Sequence, residues 1–451
     1  MATETEILES SAPPGESSPT MIVGDALSPV QPNERIAVLD ILRGFALFGI
    51  CIINMPHFYS PSALRGAGEV LYPGTLDRAA KFLVDFSGEG KFNSLFSFLF
   101  GIGFAIQLDR ANAKNAPFVG VYMRRLIALF VIGVVHNLLI WNGDVLHIYA
   151  ALGVPLIFIR KLRDRWLWLI VVLLLVAPIA WGMAMQGSKK EDKKPPSYYR
   201  EKGENQLRVF GKGSYDDLLA GFTKSAPKEP RSVVGEGNYW PAVQLRTQET
   251  IDAYQQGMLL FWPILGMTLL IGFIVGRRHV FQNLNQHLPR IRKLMYWMGG
   301  IGFLLAAGYA VTSALVPPGA RGDSPMKAVS MMMYIFNRPF VCAFYVCGII
   351  LLSQKAHWQG VLAPLATVGR MPLTNYLLQS VIHGLIFYGY GLGFYARVGP
   401  AVAVLIAIGT FAFEVVFSHF WMSKFRFGPM EWFWRTLTYG KPPAMTAPSG
   451  S

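Results

Sequence analysis

Four polar residues on the first apolar segment have the types and spacing that chemistry requires. Asp40, Arg43, Asn54 and His57 are separated by 3, 11 and 3 positions, so on a helix they fall within one arc of roughly 100°. Asp40 and Arg43 can pair across one turn, and Asn54 and His57 lie about 20–25 Å further along. The pattern predicts a helix with an ion pair at one end and an imidazole at the other. The alternative is that Asp40 and Arg43 only hold helices together and that His57 only lies at the membrane interface.

A second group of such residues surrounds a predicted turn. The Asn-Gly dipeptide at 142–143 is a turn signal. His136 precedes this turn, Asp144 ends it, and His147 follows Asp144 by about one helical turn. A carboxylate at that spacing can orient an imidazole and favour its protonated form. The alternative role for Asp144 is a helix N-cap, which favours the same residue type.

A third group lies in apolar segments nearer the C-terminus. Asn375, Gln379 and His383 recur at i,i+4 spacing, which places them on one face of a helix. Arg338 stands inside another apolar run, and Glu414 is its candidate anionic partner. These residues are expected to line a substrate tunnel. The alternatives are hydrogen bonds between helices and a purely structural ion pair.

Composition indicates that membrane helices position all three groups. Of the 451 residues, 52% are hydrophobic and 15% are charged, with a mean hydropathy of +0.35, whereas soluble domains carry about 25% charged residues. The predicted fold class is all-α, a polytopic bundle of about ten transmembrane helices. The expected spans are 36–56, 92–108, 121–141, 145–159, 166–185, 258–275, 294–315, 328–352, 362–388 and 400–422. An interfacial helix is expected near 76–86.

The predicted spans divide the chain into five parts. These are a disordered cytoplasmic tail at 1–34, a first membrane half at 35–185, an extracytoplasmic loop or small cap at 186–256, a second membrane half at 257–424, and a cytoplasmic aromatic and basic tail at 425–451. Lys and Arg cluster in alternate short connections, which predicts that both termini are cytoplasmic. The net charge of +14 is therefore attributed to Lys and Arg in cytoplasmic loops rather than to a surface that binds nucleic acid. The cysteines lack metal-ligand and disulfide spacing, so no metal is expected.

Four motifs follow one another along the chain: RIAVLDILRGFA at 35–46 followed by Asn54, GDVLHIYA at 143–150, GRMPLTNY at 369–376 and FRFGPMEWFWR at 425–435. In the same order, these motifs resemble those of the YeiB family of bacterial multipass membrane proteins. The resemblance extends over 35–439 and is weakest in the long loop. It implies a multipass protein of the bacterial plasma membrane.

The first motif is also similar to the opening of a wider group of transmembrane acyltransferases. This group includes the acyltransferase-three proteins and the heparan-alpha-glucosaminide N-acetyltransferases. The resemblance implies transfer of an acyl group from cytoplasmic acyl-CoA to an acceptor on the other side of the membrane. It implies that Asp40 and Arg43 contribute to architecture or coenzyme A contacts, and that Asn54 and His57 form the reacting centre. Because the heparan enzymes are expected to carry their histidine further beyond the Asn, the other three histidines remain alternatives.

The leading hypothesis is a plasma-membrane acyltransferase that uses acyl-CoA as donor and a small-molecule or envelope-glycan acceptor carrying a hydroxyl or amine. A histidine, with His57 the first choice, acts as general base, and Asn54 holds the thioester oxygen as charge develops. The phosphates of coenzyme A are expected near basic residues, namely Arg43, Arg124, Arg125 and Arg370. We expect membrane lipids as partners and no nucleic acid. The sequence is also compatible with a homo-oligomer.

Two other functions fit the same residues. The first is a small-molecule transporter or permease in which Arg338, Glu414 and His383 form the path of an ion or substrate. The second is a non-catalytic membrane component whose polar groups only hold helices together. An enzyme requires a cytoplasmic mouth joined to a histidine cluster, whereas a transporter requires broken helices and a midplane site. If the polar groups only hold helices together, each of them should be paired and no connected cavity should be present.

Overall fold

Helices make up nearly all of the chain that the structure describes. The computed structural model describes residues 36–61, 63–66, 71–186, 196–213, 235–255, 261–315 and 325–446. The expected tail at 1–34 lies outside these residues. The helices are α1 (Ala37–Tyr59), α2 (Ala63–Gly66), α3 (Thr75–Ser87), α4 (Lys91–Ala113), α5 (Phe118–Val135), α6 (Leu146–Ile159), α7 (Asp164–Gln186), α8 (Pro196–Phe210), α9 (Tyr239–Gln255), α10 (Trp262–Arg277), α11 (Leu284–Leu315), α12 (Pro325–Ser353), α13 (Ala356–Gly369), α14 (Pro372–Phe387), α15 (Pro400–Lys424) and α16 (Pro429–Tyr439). The predicted all-α bundle is confirmed.

The remaining regular structure is small. A π turn, His136–Ile140, extends α5. Two short strands, β1 (Lys212–Gly213) and β2 (Gly235–Glu236), pair antiparallel.

Six helical segments within the described ranges are long and apolar enough to cross a membrane. They are Ala37–Tyr59, Thr75–Ala113, Phe118–Ile140, Leu284–Thr312, Val329–Ser353 and Pro400–Lys424. Two shorter apolar helices are Leu146–Ile159 and Trp262–Arg277. Large apolar side chains such as Leu304, Leu405 and Val416 stay exposed on the long segments. Apolar surface of this kind requires a non-aqueous neighbour, so the chain is a membrane protein.

Two of the predicted spans are interrupted. The span expected at 362–388 is two helices, α13 and α14, because Pro372 begins α14. A residue that precedes proline disfavours helical backbone, and Met371 accordingly has φ −130° and ψ 57°. The span expected at 121–141 ends in the π turn, which changes the direction of the side chains beyond α5. The helix expected near 76–86 is α3.

α1 is the central helix of the bundle. It contacts α4, α12, α13, α14 and α15. Its closest neighbour is α13, which crosses it at Gly44 and Gly369. A Cβ on Gly44 would overlap the carbonyl oxygen of Leu365, and a Cβ on Gly369 would overlap that of Asp40. Small residues at both positions allow this approach.

A helical cap lies over the end of α1 that carries His57. α8 packs against α2, and α9 packs against the π turn. Arg246 of α9 is fully buried and donates hydrogen bonds to the carbonyl oxygens of Leu139 and Ile140, the latter at 2.9 Å. A cation at a helix C-terminus satisfies carbonyls that lack partners within the helix. We call this end of the bundle the cap end, and the opposite end, which contains Arg43, the arginine end.

Candidate functional site

Asp144 is the centre of a buried group of hydrogen bonds. Its side chain is 0% exposed. Oδ1 lies 2.8 Å from Nδ1 of His136, and Oδ2 lies 2.9 Å from Nδ1 of His147. Oδ2 also accepts the backbone N–H of Leu146 at 2.9 Å, in the first turn of α6. One carboxylate therefore orients two imidazoles and also supports the start of the helix that carries one of them, so both roles considered for Asp144 are present.

Two tyrosines from distant helices complete this group. The hydroxyl of Tyr376 in α14 donates to Oδ1 of Asp144 over 3.4 Å, and the hydroxyl of Tyr254 in α9 is hydrogen-bonded to Nε2 of His147. Burial disfavours the charged form of Asp144, but the hydrogen bonds and charges of His136 and His147 outweigh it and lower the pKa of this carboxyl. Asp144 is therefore ionised at neutral pH.

His136 has one ring nitrogen engaged and one available. Its side chain is buried, and Nε2 has no hydrogen-bond partner among the described residues. A neutral imidazole that donates its Nδ1–H to a carboxylate keeps the Nε2 lone pair available for a proton. His147 differs, because Asp144 and Tyr254 occupy both of its nitrogens. Of the two histidines bonded to Asp144, His136 has the geometry of a general base.

An apolar cavity of about 150 Å³ extends from Arg43 at the arginine end to Tyr376, one residue of the Asp144 group. Arg43 and Arg125 are part of its lining, and so is Tyr376, the residue that donates to Asp144. Along α4 the lining extends from Phe96 to Gln107, which corresponds to about 16 Å. The cavity is therefore long, narrow and largely apolar.

A basic vestibule of about 210 Å³ adjoins this cavity. Both spaces are lined by Arg43, Gln107, Arg125 and Trp434. The arginines of the vestibule are Arg43, Arg110, Arg125, Arg370 and Arg435, and its carboxylates are Asp40 and Glu431. The guanidinium of Arg125 lies 4.0 Å above the ring of Trp434. This excess of guanidinium groups suits a ligand with several phosphates.

The two carboxylates of the vestibule are already engaged. Asp40 pairs with Arg43, as their spacing predicts. Glu431 of α16 accepts the backbone N–H of Thr374 at 3.1 Å and its hydroxyl at 2.6 Å, and burial raises the pKa of the Glu431 carboxyl. Arg124, a predicted phosphate contact, is exposed and lines neither space.

His57 lines a different space, a polar pocket of about 310 Å³ beneath the cap. Asn142, Lys202 and Glu249 also line it. Glu249 accepts a hydrogen bond from Asn142 at 2.8 Å and one from Gln206 at 2.6 Å, yet burial raises the pKa of its carboxyl. The polar pocket therefore offers donors and acceptors to a hydroxylated ligand.

Trp141 lies near a histidine of the polar pocket and a histidine of the Asp144 group. Its ring centroid lies 6.1 Å from that of His57 and 6.3 Å from that of His136. It is buried, it stacks on Phe58, and its Nε1 has no hydrogen-bond partner among the described residues. His57 and His136 are thus both neighbours of one indole ring. Asn54 is half-buried and lines none of the spaces named above.

The third predicted group is divided between two places. Asn375, Gln379 and His383 are buried against α15 and line none of these spaces. Arg338 does not pair with Glu414. Its guanidinium lies 4.0 Å above the ring of Tyr334, whereas Glu414 accepts a hydrogen bond from Gln379. The expected ion pair between Arg338 and Glu414 is therefore absent from the described part of the chain, whereas the lining of a substrate tunnel by these residues stays a prediction.

Comparison with known proteins finds relatives that match this chain over most of its length. The chain is 32% identical to a Bacillus subtilis (strain 168) protein, "Uncharacterized protein YxaH", over 421 residues, which cover 92% of this chain and 96% of that protein. It is 28% identical to the Escherichia coli (strain K12) "Uncharacterized protein YeiB" over 426 residues, or 90% and 96% of the two chains. Residues 275–441 match the family model "Protein of unknown function (DUF418)". The chain belongs to this YeiB-like family. A Bacillus acidopullulyticus relative, "Uncharacterized 39.9 kDa protein in amylase 3'region", is 25% identical over 418 residues, or 92% and 97% of the two chains.

Sequence reasoning missed several residues of the site in this YeiB-like protein. Tyr254 and Tyr376 reach the Asp144 group from helices remote in sequence, and no local pattern marks them. Arg435 belongs to the aromatic and basic tail expected at 425–451, which the sequence does not assign to the site, and it lines the vestibule. Trp141 follows a histidine-bearing helix and directly precedes the Asn-Gly turn, and that position was its only signal.

Proposed function

We propose that this YeiB-like protein is an integral membrane acyltransferase that takes its acyl group from acyl-CoA. The observation that carries the proposal is the junction of a guanidinium-lined vestibule with a narrow apolar cavity that reaches Tyr376, next to the Asp144 group. Coenzyme A thioesters combine a phosphate-rich head with a thin arm that carries the reactive group. The two joined spaces match those two parts in charge and in shape.

The donor lies with its phosphates in the vestibule and its arm in the apolar cavity. Arg43 and Arg125 line both spaces and so stand where the head meets the arm. Arginine suits this position because its planar guanidinium binds phosphate oxygens through two parallel hydrogen bonds. The thioester lies toward Tyr376, whose hydroxyl is hydrogen-bonded to Asp144.

His136 is the general base of the transfer. Its Nε2 takes the proton from the acceptor hydroxyl or amine as the acceptor oxygen or nitrogen attacks the thioester carbonyl carbon. The carbon–sulfur bond breaks, and the proton passes from His136 to the departing thiolate to give free coenzyme A. Asp144 is a positioning residue that orients the imidazole and stabilises its charged form. General-base help of this kind contributes about 10²–10⁴-fold to a rate.

The acceptor binds in the polar pocket beneath the cap, which His57 lines. A small-molecule or envelope-glycan hydroxyl fits the hydrogen-bonding side chains there. Trp141 is a neighbour of both His57 and His136, and in this proposal its indole moves aside to let the acceptor reach the base. His57 then contacts the acceptor rather than the thioester.

The proposed location is the bacterial plasma membrane, with both termini and the arginine end on the cytoplasmic side. The supporting feature is the concentration of Lys and Arg in alternate short connections. Acyl-CoA is a cytoplasmic metabolite, so the vestibule faces its supply and the cap faces the acceptor. Membrane lipids surround the bundle.

Acyl-CoA binding and acyl transfer test the proposal together. Detergent-purified protein should bind acetyl-CoA, or a longer acyl-CoA, saturably in calorimetry. Arg43→Ala should weaken that binding, whereas His136→Gln should retain it. In membranes supplied with labelled acetyl-CoA, wild type should release coenzyme A and transfer label to envelope material, and His136→Gln should do neither. Folded wild type that binds no acyl-CoA would refute the proposal.

A further inference from the structure

A row of buried polar pairs joins α14 to α15. Three residues of α14 at i,i+4 spacing face three residues of α15 at the same spacing. The pairs are Asn375 with Ser418 at 2.9 Å, Gln379 with Glu414 at 2.9 Å, and His383 with Thr410 at 3.2 Å. All six side chains are buried. We call this set the polar row.

Each pair of the polar row contains one polar atom without a hydrogen-bond partner among the described residues. These atoms are Oδ1 of Asn375, Oε1 of Glu414 and Nδ1 of His383. Buried polar atoms are nearly always hydrogen-bonded, and an exception requires a reason. Three exceptions in one line indicate that the row serves a small hydrogen-bonding ligand rather than helix packing alone.

Glu414 is the acidic residue of the polar row, and its carboxyl can take up and release a proton. It forms no ion pair in the described part of the chain. Gln379 donates to its Oε2 at 2.9 Å, and the neighbouring titratable groups are His383 of the row and Cys51 of α1, whose Sγ lies 3.9 Å from Nε2 of His383. A buried carboxyl without a cation is less costly when it holds a proton than when it is ionised.

The spacing of the row suits proton transfer through single water molecules. Successive pairs are four residues apart on both helices, which corresponds to about 6 Å. Two hydrogen bonds of about 2.8 Å through one bridging water cover nearly the same distance. A water between neighbouring pairs can therefore link Asn375 and Ser418 to Glu414, and Glu414 to His383.

Both ends of the row lie near spaces already described. At one end, Asn375 also donates to the carbonyl oxygen of Val368 at 3.1 Å, next to Gly369 and Arg370 of the vestibule. At the other end, the ring of His383 lies 5.2 Å from that of Phe58, the residue after His57. The row therefore extends from the vestibule toward the polar pocket.

We propose that the polar row conducts protons between the vestibule and the polar pocket, with Glu414 as the proton-carrying group. The acid form of Glu414 passes its proton through one water to Nδ1 of His383, and Nε2 of His383 releases its own proton to the hydroxyl of Thr410, which passes a proton on. A water on the Asn375 side then returns a proton to the Glu414 carboxylate. Each transfer forms one O–H or N–H bond as its neighbour breaks. One proton enters as one leaves, so no other reactant is consumed. Acyl-CoA takes no part in this pathway.

Proton flux into vesicles tests this proposal. The full chain is reconstituted into lipid vesicles that contain a pH-sensitive dye, and a potassium gradient with valinomycin sets the membrane potential. Wild type should acidify the interior faster than protein-free vesicles, and Glu414→Gln should fall to the protein-free rate. Thr410→Val, which removes a hydroxyl from the row at constant shape, should slow the flux. The matched control is Asp85→Asn, the same carboxyl-to-amide change at an exposed position of α3, which should behave as wild type.

Wild-type flux no greater than that of protein-free vesicles would overturn the proposal, as would equal flux in wild type and folded Glu414→Gln. If Glu414→Gln does not fold, dicyclohexylcarbodiimide replaces it, because this reagent adds to protonated carboxyls in apolar surroundings. It should modify Glu414 of the wild-type protein, located by mass spectrometry, and stop the flux. Unchanged flux with Glu414 modified would be equally decisive against the pathway.

Discussion

Two adjacent arginines with different surroundings give a sharp test of the donor site. Arg125 lines both the vestibule and the apolar cavity, whereas Arg124 is exposed and lines neither. Hydrogen bonds to charged groups contribute about 1.5–3 kcal/mol, so Arg125→Ala should weaken acetyl-CoA binding by roughly 10- to 150-fold. An exposed charge contributes about 0–1 kcal/mol, so Arg124→Ala should change the dissociation constant by no more than about fivefold.

Isothermal titration calorimetry of the detergent-purified variants measures both constants. A thermal melt of each variant is needed as a control, because Arg125 stacks on Trp434 and its loss also removes a cation–π contact. Coenzyme A without an acyl group should show the same difference, since the arginines contact its phosphates. Equal affinities for the two folded variants would refute the assignment of the vestibule.

Three further outcomes follow from the site and the bundle. Trp141→Phe should keep the fold and raise acceptor-independent hydrolysis of acetyl-CoA, measured as released thiol, because a smaller ring lets water reach the base. The lowered pKa of Asp144 means that its ionised form stabilises the fold above about pH 3.9 and that this contribution is lost as pH falls through the lowered value. Asp144→Asn should therefore unfold more easily by roughly 3–5 kcal/mol at neutral pH, and melts in strong acid should show the difference shrinking. Gly369→Ala should destabilise by about 1–3 kcal/mol through overlap with the Asp40 carbonyl, whereas Gly360→Ala, on the same helix with open space around it, should be neutral or stabilising in denaturant melts.

Much of the fold could be predicted from the sequence, because the length and apolarity of each segment determine a membrane helix. The break between α13 and α14 was missed. Apolar residues lie on both sides of Arg370, so apolarity alone suggests one long segment, whereas the break comes from the backbone effect of Pro372 on Met371. The sequence also does not decide whether the residues of the cap form helices. Side chains such as Arg246 hold these helices in place through hydrogen bonds to the π turn, and a local sequence pattern does not predict such bonds.

The site was predictable only where its residues are close in sequence. The contact of Asp144 with His147 follows from helical spacing. The contact of Asp144 with His136 depends on the π turn that ends α5, a local departure from regular helix geometry. Tyr376 joins the group through helix packing alone. Ranking the histidines therefore required the structure, which moves the proposed base from His57 to His136.

A structure of the protein with a non-hydrolysable thioether analogue of acetyl-CoA tests the central claim most directly. The account predicts that the phosphates lie among the arginines of the vestibule, in contact with Arg43 or Arg125. It predicts that the acyl end lies in the apolar cavity beside Tyr376, within reach of His136. An analogue bound with its phosphates in the polar pocket beneath the cap, or with its acyl end among the lipids, would contradict the account.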